Sequence, residues 1–356
     1  MPASSAIFSC IGLGLLGILT SGMLKNDPCP VGKRIHLVHD ERAQRIDVTI
    51  DGKPFTSYIY PENLKKPVLY PLRTASGTVV TRGFPLESRL GERIDHPHHV
   101  GLWFNYGDVN GLDFWNNSDS IKPEKRREYG TIRHRKVNKL MDGNDHATLE
   151  VTMEWVSSEG KVLLQEDTRF VFAGQGNTRT IDRITTLKAV DKNVSFKDNK
   201  EGLLGLRVAR QLEQPSNKPE VFTDASGKAT PVPLLNNEGV TGHYHSSEGK
   251  QGDAVWGTRA SWVKLSGQME QQPITLAIFD HPQNEGYPTY WHARGYGLFA
   301  ANNLGQKAMS GGKEELDFKL LAGRSVTFRH RVVIYSSTQP SDQDLNAEAK
   351  KFEKAK

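Results

Sequence analysis

The residues best able to do chemistry crowd into one short segment. Residues 93–117 read Arg-Ile-Asp-His-Pro-His-His-Val-Gly-Leu-Trp-Phe-Asn-Tyr-Gly-Asp-Val-Asn-Gly-Leu-Asp-Phe-Trp-Asn-Asn. Three imidazoles, His96, His98 and His99, fall within four positions beside Asp95. Imidazole can donate, accept, shuttle a proton or bind a metal near neutral pH. A neighbouring carboxylate fixes its tautomer by accepting a ring N–H. Pro97 is incompatible with a helix interior or a central strand, so the segment is expected to be a loop or bulge. His96, His98 and His99 are therefore candidate acid/base residues, with Asp95 as a polar contact. The same three are candidate ligands for a divalent ion such as Zn²⁺, the only cofactor the sequence suggests. Adjacent His98 and His99 point apart on an extended chain, so at most two of the three converge easily. Trp115 and Asn116 offer an aromatic face and an amide of the kind that holds a polyol. Trp103 and Phe104 read as core.

A second cluster spans residues 280–297. It opens again on Asp-His-Pro, then carries Asn284, Tyr290, Trp291, His292 and Arg294. Two such loops in the two halves of the chain suggest equivalent positions at one mouth of the fold. His292 joins the candidate catalytic groups. Arg294 could bind hydroxyls or a developing oxyanion, and His281, Asn284, Tyr290 and Trp291 are candidate substrate contacts. Glu201, after Lys200, and Glu315, after the Gly311-Gly312 pair, are candidate partner acids. Arg82, upstream of the histidines, is a candidate anion or hydroxyl contact.

The elements that must position these groups read as strands. Residues 45–50 alternate polar and apolar, Asp51-Gly52 marks a tight turn, and residues 55–60 resume the pattern, a hairpin signature. Residues 147–155 alternate with Leu149, Val151, Met153 and Trp155 on one face. Further strands are expected at 162–166, 168–172, 179–187, 260–265, 274–279, 296–301, 316–321 and 325–335. Helix is expected only at 341–356, capped by Ser341, and in a short turn near 302–309. Many short strands without helix alternation predict an all-β, large antiparallel sandwich with a short C-terminal helix. A single domain is expected over residues 30–337, followed by a helical tail at 338–356. Residues 215–233, polar and Pro-rich, read as a surface excursion.

Composition narrows the function. The net charge of +5 is small for 356 residues. The densest basic run, residues 122–135, lacks the interleaved aromatics of a nucleic-acid surface, so no nucleic-acid partner is expected. Residues 1–24 read as an export signal or an N-terminal anchor, with an apolar run at 7–24 and small residues at Thr20-Ser21-Gly22. That predicts a secreted or periplasmic protein with no other membrane attachment. Cys10 and Cys29 are the only cysteines, and removal of the leader would leave one. The sequence sets no oligomeric state.

Several of these motifs occur together in a known group. Asp95-His-Pro-His-His99 with Gly101-Leu-Trp103, and residues 108–115, resemble the bacterial PmoA-like family, as do Lys200-Glu-Gly202, Trp256-Gly257, Asp280-His-Pro282 and residues 290–297. The resemblance covers about residues 45–336. Where that family carries Arg after the histidines, this chain has Val100. A methane-oxygenase label attached to the family requires several long apolar spans, and no segment after the leader supplies one. The resemblance implies a galactose mutarotase-like β-supersandwich in secreted bacterial proteins that accompany sugar dehydrogenases and glycan breakdown. The function expected is therefore an exported carbohydrate-active enzyme using His-based acid/base chemistry on a sugar or oxidised glycoside, as an epimerase, hydrolase or lyase. The alternative is a non-catalytic carbohydrate-binding module.

Overall fold

Alternation along the chain becomes two large sheets. In the strand His146–Val156 the residues Leu149, Val151, Met153 and Trp155 are all fully buried, as the two-residue period of a pleated strand requires. The structure, a computed structural model, describes residues 33–232 and 236–355. The expected leader and both cysteines lie outside the described residues.

The first sheet has eight strands. In spatial order they are Ile35–Asp40, Arg45–Ile50, Lys53–Ile59, Val68–Leu69, Leu102–Tyr106, Gly202–Arg207, Leu298–Asn302 and Tyr290–Arg294. The second also has eight: His243–Ser246, Trp262–Met269, Gln272–Asp280, Ser325–Ser336, Thr178–Ala189, Val162–Gln175, His146–Val156 and Thr131–Met141. Every pairing within them is antiparallel. Ile46, Phe104, Leu204 and Phe299 of the first sheet share one core with Trp155, Phe170, Ile278 and Phe328 of the second. This is the antiparallel β-sandwich that the alternation predicts.

The two outer faces are finished differently. On the second sheet, Trp262, Phe279 and Val333 are covered by Leu345 and Phe352 of the C-terminal helix Asp342–Glu353. Ser341 caps that helix: its hydroxyl accepts the Asp344 N–H, and the Asp344 carboxylate accepts the Ser341 N–H. The short turn expected near 302–309 is the helix Gln306–Ser310. On the first sheet, register sets the outer face. Trp291, Ala301, Leu204 and Phe104 lie opposite one another and belong to the core. The next row, His292, Ala300, Gly205 and Trp103, therefore faces away from the second sheet. Arg294, Leu298 and Arg207 form another outward row. The basic run at 122–135 becomes the exposed turn Pro123–Glu128 and the start of the edge strand Thr131–Met141, where solvated charge discourages further strand pairing. Among the described residues no helix is long and apolar enough to cross a membrane.

Candidate functional site

The outer face of the first sheet receives the histidine loop. The chain leaves that sheet at Leu69, runs through residues 70–101, and returns as Leu102–Tyr106. Arg82, 1% exposed, ties the loop down. Its guanidinium donates to the carbonyls of Asp95 (2.9 Å), His96 (2.9 Å) and His99 (3.2 Å), and to Asp95 Oδ1 (2.5 Å). A planar guanidinium with five N–H groups suits such a gathering of acceptors. Gly101 closes the loop at φ +57°, where a Cβ would meet the Leu69 carbonyl at 2.2 Å.

Asp95 is the electrostatic hinge. Its Oδ1 also accepts from Arg207 at 2.6 Å, and its Oδ2 lies 2.9 Å from His96 Nδ1. Burial works against the carboxylate charge, but His96, Arg207 and Arg82 outweigh it and hold Asp95 well below the usual carboxylate range. Arg207 is fully buried and donates to His99 Nδ1 at 3.1 Å. That bond makes His99 Nδ1 an acceptor and places its proton on Nε2. Burial, followed by the neighbouring positive groups, pushes His99 well down and His98 down to about 2, so both are neutral imidazoles.

The rings form a column. Tyr296 stacks on His96 (5.1 Å, 5°), His96 on His99 (4.8 Å, 4°), and His99 on Trp103 (5.2 Å, 17°). Trp103 in turn lies over Gly205, where a Cβ would meet its indole at 2.4 Å. His96 has φ +42°, a left-handed conformation that a non-glycine residue rarely adopts. The Arg82 and His99 N–H groups that bind its carbonyl hold it there. Its Nδ1 is taken by Asp95. Its side chain is 40% exposed, and Nε2 makes no hydrogen bond among the described residues.

His292 stands on the same face. Its Nδ1 lies 3.0 Å from the Lys200 carbonyl, to which it donates, and 3.6 Å from Glu201 Oε2. Nε2 is thus the lone-pair nitrogen. Burial, then Lys200 and Arg294, lower His292 to about 3, and His96 is near enough to contribute. Glu201 is paired with Lys200. Glu201, Arg294 and Asp95 all act on the Tyr296 hydroxyl, which burial raises to about 12. That hydroxyl has no hydrogen-bond partner among the described residues. The face therefore gathers His96, His292, Glu201, Tyr296 and Arg294 around two imidazole Nε2 atoms.

Residues 45–350 match the model of a family of unknown function (DUF6807). The chain belongs to that family. The PmoA-like name suggested by the motifs is not the one this match carries. No curated protein matches the sequence. Among solved structures, the DUF6807 chain is similar to the galactosidase domain of the alpha-galactosidase-sucrose kinase AgaSK, at 9% identity and TM-score 0.37 over 85% of this chain and 41% of that one. It is similar to a GH36 alpha-galactosidase from Geobacillus stearothermophilus at 13% identity and TM-score 0.34, covering 82% and 40%. A galactose mutarotase related enzyme from Lactobacillus acidophilus gives 8% identity and TM-score 0.31, covering 86% and 98%. The chain thus spans about two fifths of the length of the first two. Identities this low transfer no catalytic residue.

Several residues that the DUF6807 sequence offers as site candidates lie elsewhere. His281 follows a strand of the second sheet, and its ring packs on Phe352 of the C-terminal helix. The two Asp-His-Pro loops therefore do not share a mouth. Asn284 bridges Asp280 and the Arg329 backbone at 2.7 Å, a structural link. Trp291 points into the core and donates to the Ala260 carbonyl. Tyr290 is held by Glu314 and Arg259. Glu315 is an exposed partner of Lys307. Trp115 is fully buried against Trp103 and His99, so it offers no open sugar platform. Asn116 is folded back onto Asp113. Arg82 and Asp95 are spent on positioning the loop.

The metal reading is corrected by ring geometry. His96 and His99 are parallel and stacked, which sets their lone pairs in separate planes, and His98 stands nearly perpendicular to both. With His96 Nδ1 and His99 Nδ1 already engaged, the three do not converge. Among the described residues no group of three or more His, Cys, Asp or Glu is placed to hold a metal ion. Sequence reasoning also missed Arg207, Tyr296 and Lys66. Arg207 ends the apolar run 203–206, and a charge in a buried strand calls for a partner. Lys66, between Lys65 and Pro67, gave no comparable signal.

Proposed function

We propose that the outer face of the first sheet binds a carbohydrate and moves protons on it, with His292 and His96 as the acid/base pair. One observation carries this: two imidazoles on one face each have Nδ1 fixed, by the Lys200 carbonyl and by Asp95, and Nε2 free. A carboxylate or carbonyl that orients an imidazole leaves its far nitrogen poised for proton transfer. His292, neutral at pH 7, takes a proton; His96 or the Tyr296 hydroxyl returns one on the other side. Arg294 and Lys200 supply donors for hydroxyl groups or a developing oxyanion.

The reaction this arrangement suits is interconversion at the anomeric or a carbonyl-adjacent carbon. Two-carboxylate glycoside hydrolysis is poorly served, because it needs an acid and a second free carboxylate across the bond. Asp95 is clamped between two guanidinium groups, and Glu201 is paired with Lys200. The apolar stretch at residues 7–24 supports placing the chemistry outside the cytoplasm, as a secreted or periplasmic protein.

The test is NMR in D₂O with a panel of aldoses, ketoses and 3-oxo-glycosides. Anomeric exchange or carbon-bound H/D exchange should exceed the buffer rate, and His292→Gln should lower it about 10²-fold or more. Saturable sugar binding without either exchange, unchanged by His292→Gln, would instead identify a non-catalytic carbohydrate-binding module.

A further inference from the structure

A cavity lies against the histidine loop at Pro97, His98 and Val100, and the acid/base reading leaves it unused. It holds about 350 Å³; Val68, Phe84, Leu86 and Val100 form its apolar wall, Lys66, His98, Asn117 and Ser118 are its buried polar groups, and the Lys65–Asp119 ion pair also lines it. Lys66 is 4% exposed, unusual for a lysine. Its Nζ has one hydrogen bond, 2.8 Å to the His98 carbonyl, and no ion pair among the described residues. The Trp103 ring lies 5.6 Å away. The imidazole Nε2 of His98 is buried and has no partner among the described residues.

A buried lysine without an anion is a costly arrangement for a structural role. One hydrogen bond to a carbonyl uses one of three ammonium donors. Desolvated lysines of this kind, in apolar walls open to a ligand, serve as amine nucleophiles towards carbonyl compounds. Burial also brings Lys66 down to about 7, against the weaker pull of the Asp113 carboxylate.

We propose that this cavity is a carbonyl-capturing site in which Lys66 forms a reversible imine with an aldehyde or ketone carrying an apolar group. The Nζ lone pair attacks the carbonyl carbon and the C–O π pair moves to oxygen. The resulting carbinolamine then expels that oxygen as water, which carries away the two amine protons as C=N forms. No oxidant or reductant takes part. His98, beside Lys66, offers a hydrogen bond to the carbinolamine hydroxyl. The site is separate from His292 and Glu201, so it stands or falls independently of the sugar reaction.

The experiment uses the full chain with benzaldehyde and sodium cyanoborohydride at pH 7.5, followed by peptide mass mapping. All lysines compete within one molecule, so the comparison of rates is internal. Lys66 should be alkylated roughly tenfold or more faster than exposed Lys350 and Lys351, since each unit of lowered pKa raises the free amine about tenfold. Lys66→Arg should remove that fast adduct and no other, and His292→Gln should leave it intact. Labelling of Lys66 no faster than of Lys350 and Lys351 overturns the proposal.

Discussion

The residue on which the loop depends is Asp95. Two buried guanidinium groups, of Arg82 and Arg207, meet on its Oδ1, and His96 takes the other oxygen. Removing a charge from such a cluster leaves buried cations uncompensated, at a cost of about 3–5 kcal/mol. Asp95→Asn is therefore expected to lower stability by that order in urea unfolding. It should also unlock the Nδ1 side of His96, so activity should fall even where the fold survives at low temperature. An Asp95→Asn protein as stable as the parent would show that the clamp is not a structural anchor. The strain at His96 belongs to the same account. A left-handed histidine persists only when its surroundings over-determine it, and the Arg82 and His99 N–H groups on its carbonyl, with Asp95 on its ring Nδ1, supply that restraint.

At the scale of elements, the four strands from Leu102–Tyr106 to Tyr290–Arg294 place His292 and Trp103 in one row, with only Ala300 and Gly205 between them. Small residues there leave room for the ring column. Gly205→Ala puts a methyl group 2.4 Å from the Trp103 indole. It is expected to cost about 1–3 kcal/mol and to shift tryptophan fluorescence as Trp103 and His99 tilt. A fully native Gly205→Ala crystal structure with Trp103 unmoved would refute this. These strands also show what could be read in advance. The alternation at 147–155, the Asp51-Gly52 turn and the Ser341 cap each follow from residues close in sequence, and each appears where the pattern puts it. The site does not, because Leu102–Tyr106, Gly202–Arg207 and Tyr290–Arg294 are joined only by register across nearly two hundred residues. The repeated Asp-His-Pro misled for the same reason: a tripeptide says nothing about which face of which sheet its histidine meets.

At the scale of the molecule, buried neutral histidines set the response to acid. Burial holds His98 to about 2, His292 and His330 to about 3, and His134 to about 4, against roughly 6.5 in an unfolded chain. Below about pH 6.5 the unfolded chain binds protons that the folded chain refuses, so stability falls as pH drops towards 4. Asp280, raised to about 6 by burial, works in the opposite direction, and Asp113, Glu92 and Glu213, which burial also raises, act in the same sense as Asp280; the four imidazoles are in turn joined by His99 and His281, which burial lowers too. Lys66 adds a second window. Lowered to about 7, it makes the unfolded chain the better proton binder from there to roughly 10.5. Stability should therefore keep rising from pH 7 to 9, at up to about 1.4 kcal/mol per pH unit. Lys66→Met should flatten that rise while keeping the acid limb. Denaturant midpoints measured from pH 4 to 9 check both limbs, and a flat profile through either would contradict the assignment behind it.

The two outer faces are unlike, and this has a practical use. The helix Asp342–Glu353 seals one side and carries Lys350 and Lys351 on its exposed surface, while the imidazoles occupy the opposite side. Anchoring the protein to a bead or sensor chip through that helix would leave its reactive side turned towards the flowing solution.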